Sequence, residues 1–200
     1  MQDILNTYDL QALTQVQLAG QLNGKKIGLL GGSFNPPHSG HLAISQRALK
    51  LGLDYVFWLV VPQNPLKPPY ELSLEKRVAL ASTLVSRATG IIVCSIEAEI
   101  QTTNTYDTLK YLTLNFPTVH FVWIMGVDCL KEFHLWENYD QFSALVDIII
   151  FNRKGYEDLL NNSVAGRMLK SCKKYKSSVT FIEEKLSDLS STDIRKKEKL

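Results

Sequence analysis

The sequence predicts a doubly wound α/β fold built on a parallel sheet, and three observations carry that reading. Apolar runs of strand length alternate with helix-period segments from residue 26 to residue 183. The runs are continuous rather than every-other-residue, as in strands covered on both faces. A stretch rich in glycine, proline and histidine, GGSFNPPHSGH at 31–41, falls between the first strand and the first helix. Open α/β sheets hold their ligands there, beyond the carboxyl ends of the strands.

The elements follow in order. KIGLLGG (26–32) reads as a short buried strand, and HLAISQRALKLG (41–52) as a helix stopped by Gly52. YVFWLVV (55–61) is a second strand, cut by Pro62. SLEKRVALASTLVSRA (73–88) is helical and GIIVCSI (90–96) extended. YDTLKYLTLNF (106–116) is a helix up to Pro117, and VHFVWIMG (119–126) a strand. DIIIFNR (147–153), a helix over 157–175 and SVTFIE (178–183) complete the alternation. Residues 1–24 read as an N-terminal extension, weakly helical and rich in Gln and Leu, before a single domain over 25–200.

Composition narrows the class. Two hundred residues, 45% hydrophobic and 21% charged, suffice for one globular core. No apolar run approaches a membrane span. The N-terminus carries no basic leader, its first lysine being Lys25. Cys94, Cys129 and Cys172 are widely spaced and suggest neither a disulfide framework nor a metal cluster. A cytoplasmic location is the expectation. Residues 1–150 hold 10 basic and 13 acidic side chains, and residues 151–200 hold 12 and 7. The basic end fits phosphates or a solvated lysine-rich helix face. As a nucleic-acid surface it lacks a stripe of interleaved aromatics.

The stretch at 31–41 is neither a G-x-G-x-x-G fingerprint nor a P-loop. Gly31 and Gly32 allow close backbone approach to a ligand, Pro36 and Pro37 stiffen the loop, and Gly40 clears space beside the imidazoles. His38 and His41 are three apart, with His41 near the start of the next helix. Helix N-terminal amides favour anions, and two imidazole N–H groups would add to that preference. They would help most for a phosphate gaining charge as it leaves. No acidic residue or cysteine nearby completes a metal set with them.

These residues resemble the G-x-F-x-P-x-H-x-G-H signature of the nucleotidyltransferase superfamily. LSSTDIR, Leu189 to Arg195, is similar to that superfamily's second signature, Ile-Ser-Ser-Thr-x-Ile-Arg. Within it, four segments resemble the bacterial nicotinate-nucleotide adenylyltransferases: NPLK (64–67), TYDTL (105–109), MGVDCLKEFHLW (125–136) and FNRKG (151–155). The likeness covers about residues 26 to 195. It departs at Asn104, which stands where the family has tyrosine, and the chain ends five residues after Arg195.

The resemblance implies a Rossmann-like nucleotidyltransferase fold and adenylyl transfer from ATP to nicotinate mononucleotide, with Mg²⁺ accompanying ATP and held mainly by the nucleotide. It implies His38, His41, Lys67 and Arg195 as the catalytic set. Gly31, Gly32, Ser33, Phe34, Gly40, Arg153, Ser191 and Thr192 would hold ATP and its phosphates. Asn104, Thr105, Asp128 and Trp136 would bind the mononucleotide. From the residues alone, Ser191 and Thr192 also fit a plain helix N-cap, as does Asp128. Trp136 also fits the core, where Trp58 and Trp123 are placed. Arg77 reads as an exposed or ion-paired helix residue, and His120 and His134 as structural. Other acceptors, nicotinamide mononucleotide, phosphopantetheine or a sugar-alcohol phosphate, keep the same chemistry. A non-catalytic nucleotide- or RNA-binding module is the alternative of another class. Neither a nucleic acid nor a membrane is an expected partner, and homo-oligomer formation is compatible with the sequence.

Overall fold

The computed structural model describes residues 20–152, 158–171 and 178–182. Six parallel strands form one sheet in the order β3-β2-β1-β4-β5-β6. They are β1 (Lys26–Gly32), β2 (Tyr55–Val60), β3 (Ile91–Cys94), β4 (His120–Gly126), β5 (Asp147–Phe151) and β6 (Val179–Ile182). From β1 the chain winds outward through β2 and β3, then returns to pair β4 against the other edge of β1. The switch point therefore lies between β1 and β4, as a doubly wound sheet requires.

Each strand supplies both faces. Phe57 and Leu59 of β2 enter one core cluster, while Val56, Trp58 and Val60 enter the other. β4 divides likewise: Phe121, Trp123 and Met125 on one side, Val122 and Ile124 on the other. This two-sided burial explains why the strands read as unbroken apolar runs. Trp58 and Trp123 are fully buried, as the sequence reading placed them. Leu22, which precedes β1, is also buried in the first cluster.

The helices are α1 (Ser39–Lys50), α2 (Leu74–Val85), α3 (Ile96–Glu99), α4 (Thr105–Asn115), α5 (Phe142–Leu145), α6 (Leu159–Asn162) and α7 (Val164–Ser171). α1 begins two residues before its expected start, because His38 serves as the N-cap. α2 stops at Val85 rather than 88. The helix expected over 157–175 is broken: α6 ends at Asn162, Ser163 is extended, and α7 begins at Val164. Three 3₁₀ turns (Val127–Lys131, Phe133–Leu135 and Tyr139–Gln141) and the short α3 and α5 were not foreseen. Pieces this short show too few periods of an apolar pattern to be read.

Candidate functional site

The loop after β1 is organised by its histidines. His38 Nδ1 accepts the Gly40 N–H at 3.1 Å, and His41 Nδ1 accepts the His38 N–H at 3.2 Å. The two bonds form a reciprocal capping box at the start of α1, with histidine in both roles. A backbone N–H can only donate, so Nδ1 of each ring carries no hydrogen and the ring proton sits on Nε2. The ring centroids are 3.7 Å apart. The structure thus brings together the two imidazoles that the sequence reading paired, and fixes their tautomer.

Beneath them lies an aromatic floor. Phe34, fully buried at φ 47°, stacks on Trp58 at 4.8 Å and touches the His41 ring at 4.7 Å. A bulky residue is uncommon at positive φ; here burial of the ring between Trp58 and His41 holds it. Any contact of Phe34 with a ligand is therefore made through its backbone. Trp58 donates to Ser45, and Ser45 donates to the His41 carbonyl at 2.9 Å.

A cleft of about 310 Å³ opens beyond the carboxyl ends of the strands. Gly31–Ser33 line it at the carboxyl end of β1, Lys67 and its loop after β2, Asn104 and Thr105 at the start of α4, and Trp136 in the turns after β4. A Cβ on Gly31 would lie 2.4 Å from the Trp123 ring, itself part of the lining. Only glycine lets the strand pass so close to that indole. The indole N–H of Trp123 is buried and has no partner among the described residues.

Asn104 caps α4, its side-chain oxygen accepting the Tyr106 N–H at 2.9 Å. Asparagine is a good N-cap residue, which accounts for Asn104 at this position. Trp136 is half-buried and does two jobs. It packs edge-on against Trp123 and Phe133, at 6.1 and 5.3 Å, and also lines the cleft. Asp128 sits in the 3₁₀ turn just past β4 and, like His38 and His41, outside the cleft lining. The histidine pair and the cleft are two adjoining parts joined by Gly31–Ser33. Arg153, Ser191, Thr192 and Arg195 lie outside the described residues.

Arg77 differs from its expectation. It is 1% exposed, and its guanidinium donates to four backbone carbonyls, those of Ser33, Val61, Pro62 and Leu72. Its spacing with Ala81 and Val85, four and eight residues on, places it on the buried stripe of α2. That position on an apolar stripe was the available signal. His120 is exposed at the amino end of β4, 2.6 Å from Asp147, at the opposite ends of the strands from the cleft.

The Cytidylyltransferase-like family model matches residues 29–197. A Cereibacter sphaeroides protein named "Probable nicotinate-nucleotide adenylyltransferase" is 40% identical over 181 residues, covering 84% of this chain and 95% of that protein. The Methylorubrum extorquens protein of the same name is 47% identical over 133 residues, covering 66% and 71%. The chain belongs to the nicotinate-nucleotide adenylyltransferase family.

The fold of this family member agrees with solved structures. Plasmodium falciparum nicotinic acid mononucleotide adenylyltransferase, complexed with NaAD, superposes with a TM-score of 0.69 at 21% identity, covering 86% of this chain and 83% of that one. The same Plasmodium enzyme complexed with APC gives 0.67 at 19% identity. At such identities the likeness establishes the nucleotidyltransferase fold, and the adenylyltransferase assignment rests on the sequence relatives.

Proposed function

We infer that this adenylyltransferase joins ATP and nicotinate mononucleotide into nicotinate adenine dinucleotide, releasing pyrophosphate, as a step of NAD biosynthesis in the cytoplasm. The observation that carries the residue-level reading is the capped histidine pair beside a cleft lined by Lys67 and Trp136.

The mononucleotide phosphate oxygen attacks the α-phosphorus of ATP, forming the new P–O bond as the bond to the β-phosphate oxygen breaks. The nucleophile is already anionic, so no side chain need remove a proton. Catalysis is then positioning plus stabilisation of charge on the departing pyrophosphate. His38 and His41, with hydrogen on Nε2, are donors for the α- and β-phosphate oxygens. Gly31, Gly32, Ser33 and Gly40 bring backbone close to those phosphates. Lys67, exposed on its loop, supports them from across the cleft. Arg195, Ser191, Thr192 and Arg153 complete the ATP side in this reading. On the acceptor side, Trp136 stacks on the pyridine ring, Asn104 and Thr105 border it, and Asp128 takes a ribose hydroxyl or a magnesium-bound water.

Among the described residues no group of three or more His, Cys, Asp or Glu side chains gathers to hold a metal. In this reading Mg²⁺ arrives on the ATP phosphates and is held mainly by the nucleotide. When bound it neutralises phosphate charge.

The test is pyrophosphate release with ATP and Mg²⁺, offering nicotinate mononucleotide, nicotinamide mononucleotide and phosphopantetheine in turn. The expected result is a strong preference for the nicotinate form. Preference for another acceptor would overturn the substrate, and no release with any would overturn the enzyme reading.

A further inference from the structure

Arg77 is a buried cation that forms no ion pair with a carboxylate among the described residues. All four of its hydrogen bonds go to backbone carbonyls: Ser33 at 2.7 Å, Val61 at 2.8 Å, Pro62 at 2.9 Å and Leu72 at 3.2 Å. Ser33 belongs to the loop after β1, and Val61 and Pro62 open the loop after β2 that carries Lys67. Both loops line the cleft. A planar fork with five N–H groups can reach three separate segments at once, whereas a lysine presents a single nitrogen.

The Lys67 loop is tied together internally. The Gln63 side-chain amide donates to the carbonyls of Asn64, Lys67 and Pro68, and the Asn64 side chain accepts the Leu66 N–H. These bonds make the loop one piece between its anchors. One anchor is the Arg77 fork on Val61 and Pro62. The other is Tyr70, whose hydroxyl accepts the Asn64 N–H at 3.0 Å and whose ring lies 4.6 Å from the Arg77 guanidinium carbon. Asn35, next to the histidines, adds a parallel tie by donating to Glu71. A backbone bond from Val61 to Gly32 joins only the roots of the two loops.

We propose that Arg77 is a positioning residue for adenylyl transfer, holding the phosphate loop after β1 and the Lys67 loop after β2 at one fixed separation. It touches no substrate and acts through Lys67 and Ser33. The proposal rests on the reading of those loops as the phosphate site.

The test is a double-mutant cycle of Arg77→Lys with Lys67→Ala, read as kcat/KM for pyrophosphate release from ATP and nicotinate mononucleotide. All four proteins are assayed well below their melting temperatures, checked by circular dichroism. If Arg77 places Lys67, Arg77→Lys costs tenfold or more, and Lys67→Ala costs far less in that background than in the wild type. Arg77→Gln, which buries no charge, gives the same non-additivity in place of Arg77→Lys, and carries the test should the lysine variant not fold. Near-normal kinetics for the anchor variant, equal losses from Lys67→Ala in both backgrounds, or a silent Lys67→Ala in the wild type would each overturn the proposal. Wild-type enzyme releasing no pyrophosphate would instead bring down the functional reading itself.

Discussion

Trp58 donates its indole N–H to the Ser45 hydroxyl at 2.7 Å, both residues fully buried. The same hydroxyl donates to the His41 carbonyl at 2.9 Å. One small side chain therefore connects the aromatic floor to the first turn of α1. Ser45→Ala would strand a buried indole N–H with no acceptor. The expected cost is about 1–3 kcal/mol, seen as a lower melting temperature. An unchanged melting temperature would show that the bond contributes nothing net.

His38 and His41 have a structural role as a capping box and a proposed chemical one, and the two can be separated. Asparagine is a good N-cap residue without an imidazole. His38→Asn should keep α1 and the melting temperature near the wild type while kcat falls by about 10²–10³-fold, the usual loss of a donor to developing charge. His41→Ala should lower kcat by a similar order and, through loss of the capping box, cost about 1 kcal/mol of stability as well. Near-normal turnover in either variant would remove that histidine from the catalytic set.

Trp136 and Asn104 both line the cleft, and the histidine pair is not part of that lining. If it carries the pyridine ring, Trp136→Ala should raise KM for nicotinate mononucleotide about fivefold to tenfold, in line with a stacking contact, and leave KM for ATP nearly unchanged. Equal rises in both constants would point to a general collapse of the wall through its packing on Trp123 and Phe133.

Glu97 of α3 is buried against α4, with one carboxyl oxygen accepting from Thr108 at 3.4 Å and the other without a hydrogen-bond partner among the described residues. Burial pushes its pKa up to about 7 from an ordinary 4.5. The folded protein thus holds a proton that the unfolded chain releases above about pH 4.5. Stability contributed by this group falls as pH rises from 4.5 to 7 and is flat above. Glu97→Gln should abolish the fall, making the variant more stable than the wild type at pH 8 by an amount on the order of 3 kcal/mol. Melting curves at pH 5 and pH 8 decide it. Parallel shifts in both proteins would assign the pH dependence elsewhere.

The fold was legible because strands buried on two faces leave long apolar runs, and because the loop at 31–41 stood out by composition. The pairing of His38 with His41 was legible for the same reason. What escaped were features whose meaning is three-dimensional. Nothing local shows that the Arg77 fork meets carbonyls of three segments, although its place on the Arg77–Ala81–Val85 stripe was a clue. The turns at 127–141 carry several cleft residues but are too short to declare a period. Asn104 looked like a departure in recognition, and its position gives it a plain local task as the cap of α4.

The order of the strands also has a consequence for synthesis. β1 leaves the ribosome before the other strands and can zip to β2 and β3 once they follow, yet its other edge is reserved for β4, with Lys26 opposite His120. Until Gly126 has emerged, the centre of the future sheet is an exposed apolar border open to any extended neighbour. The nascent chain is thus most prone to stick to another copy of itself at the strand that leads into the histidine loop.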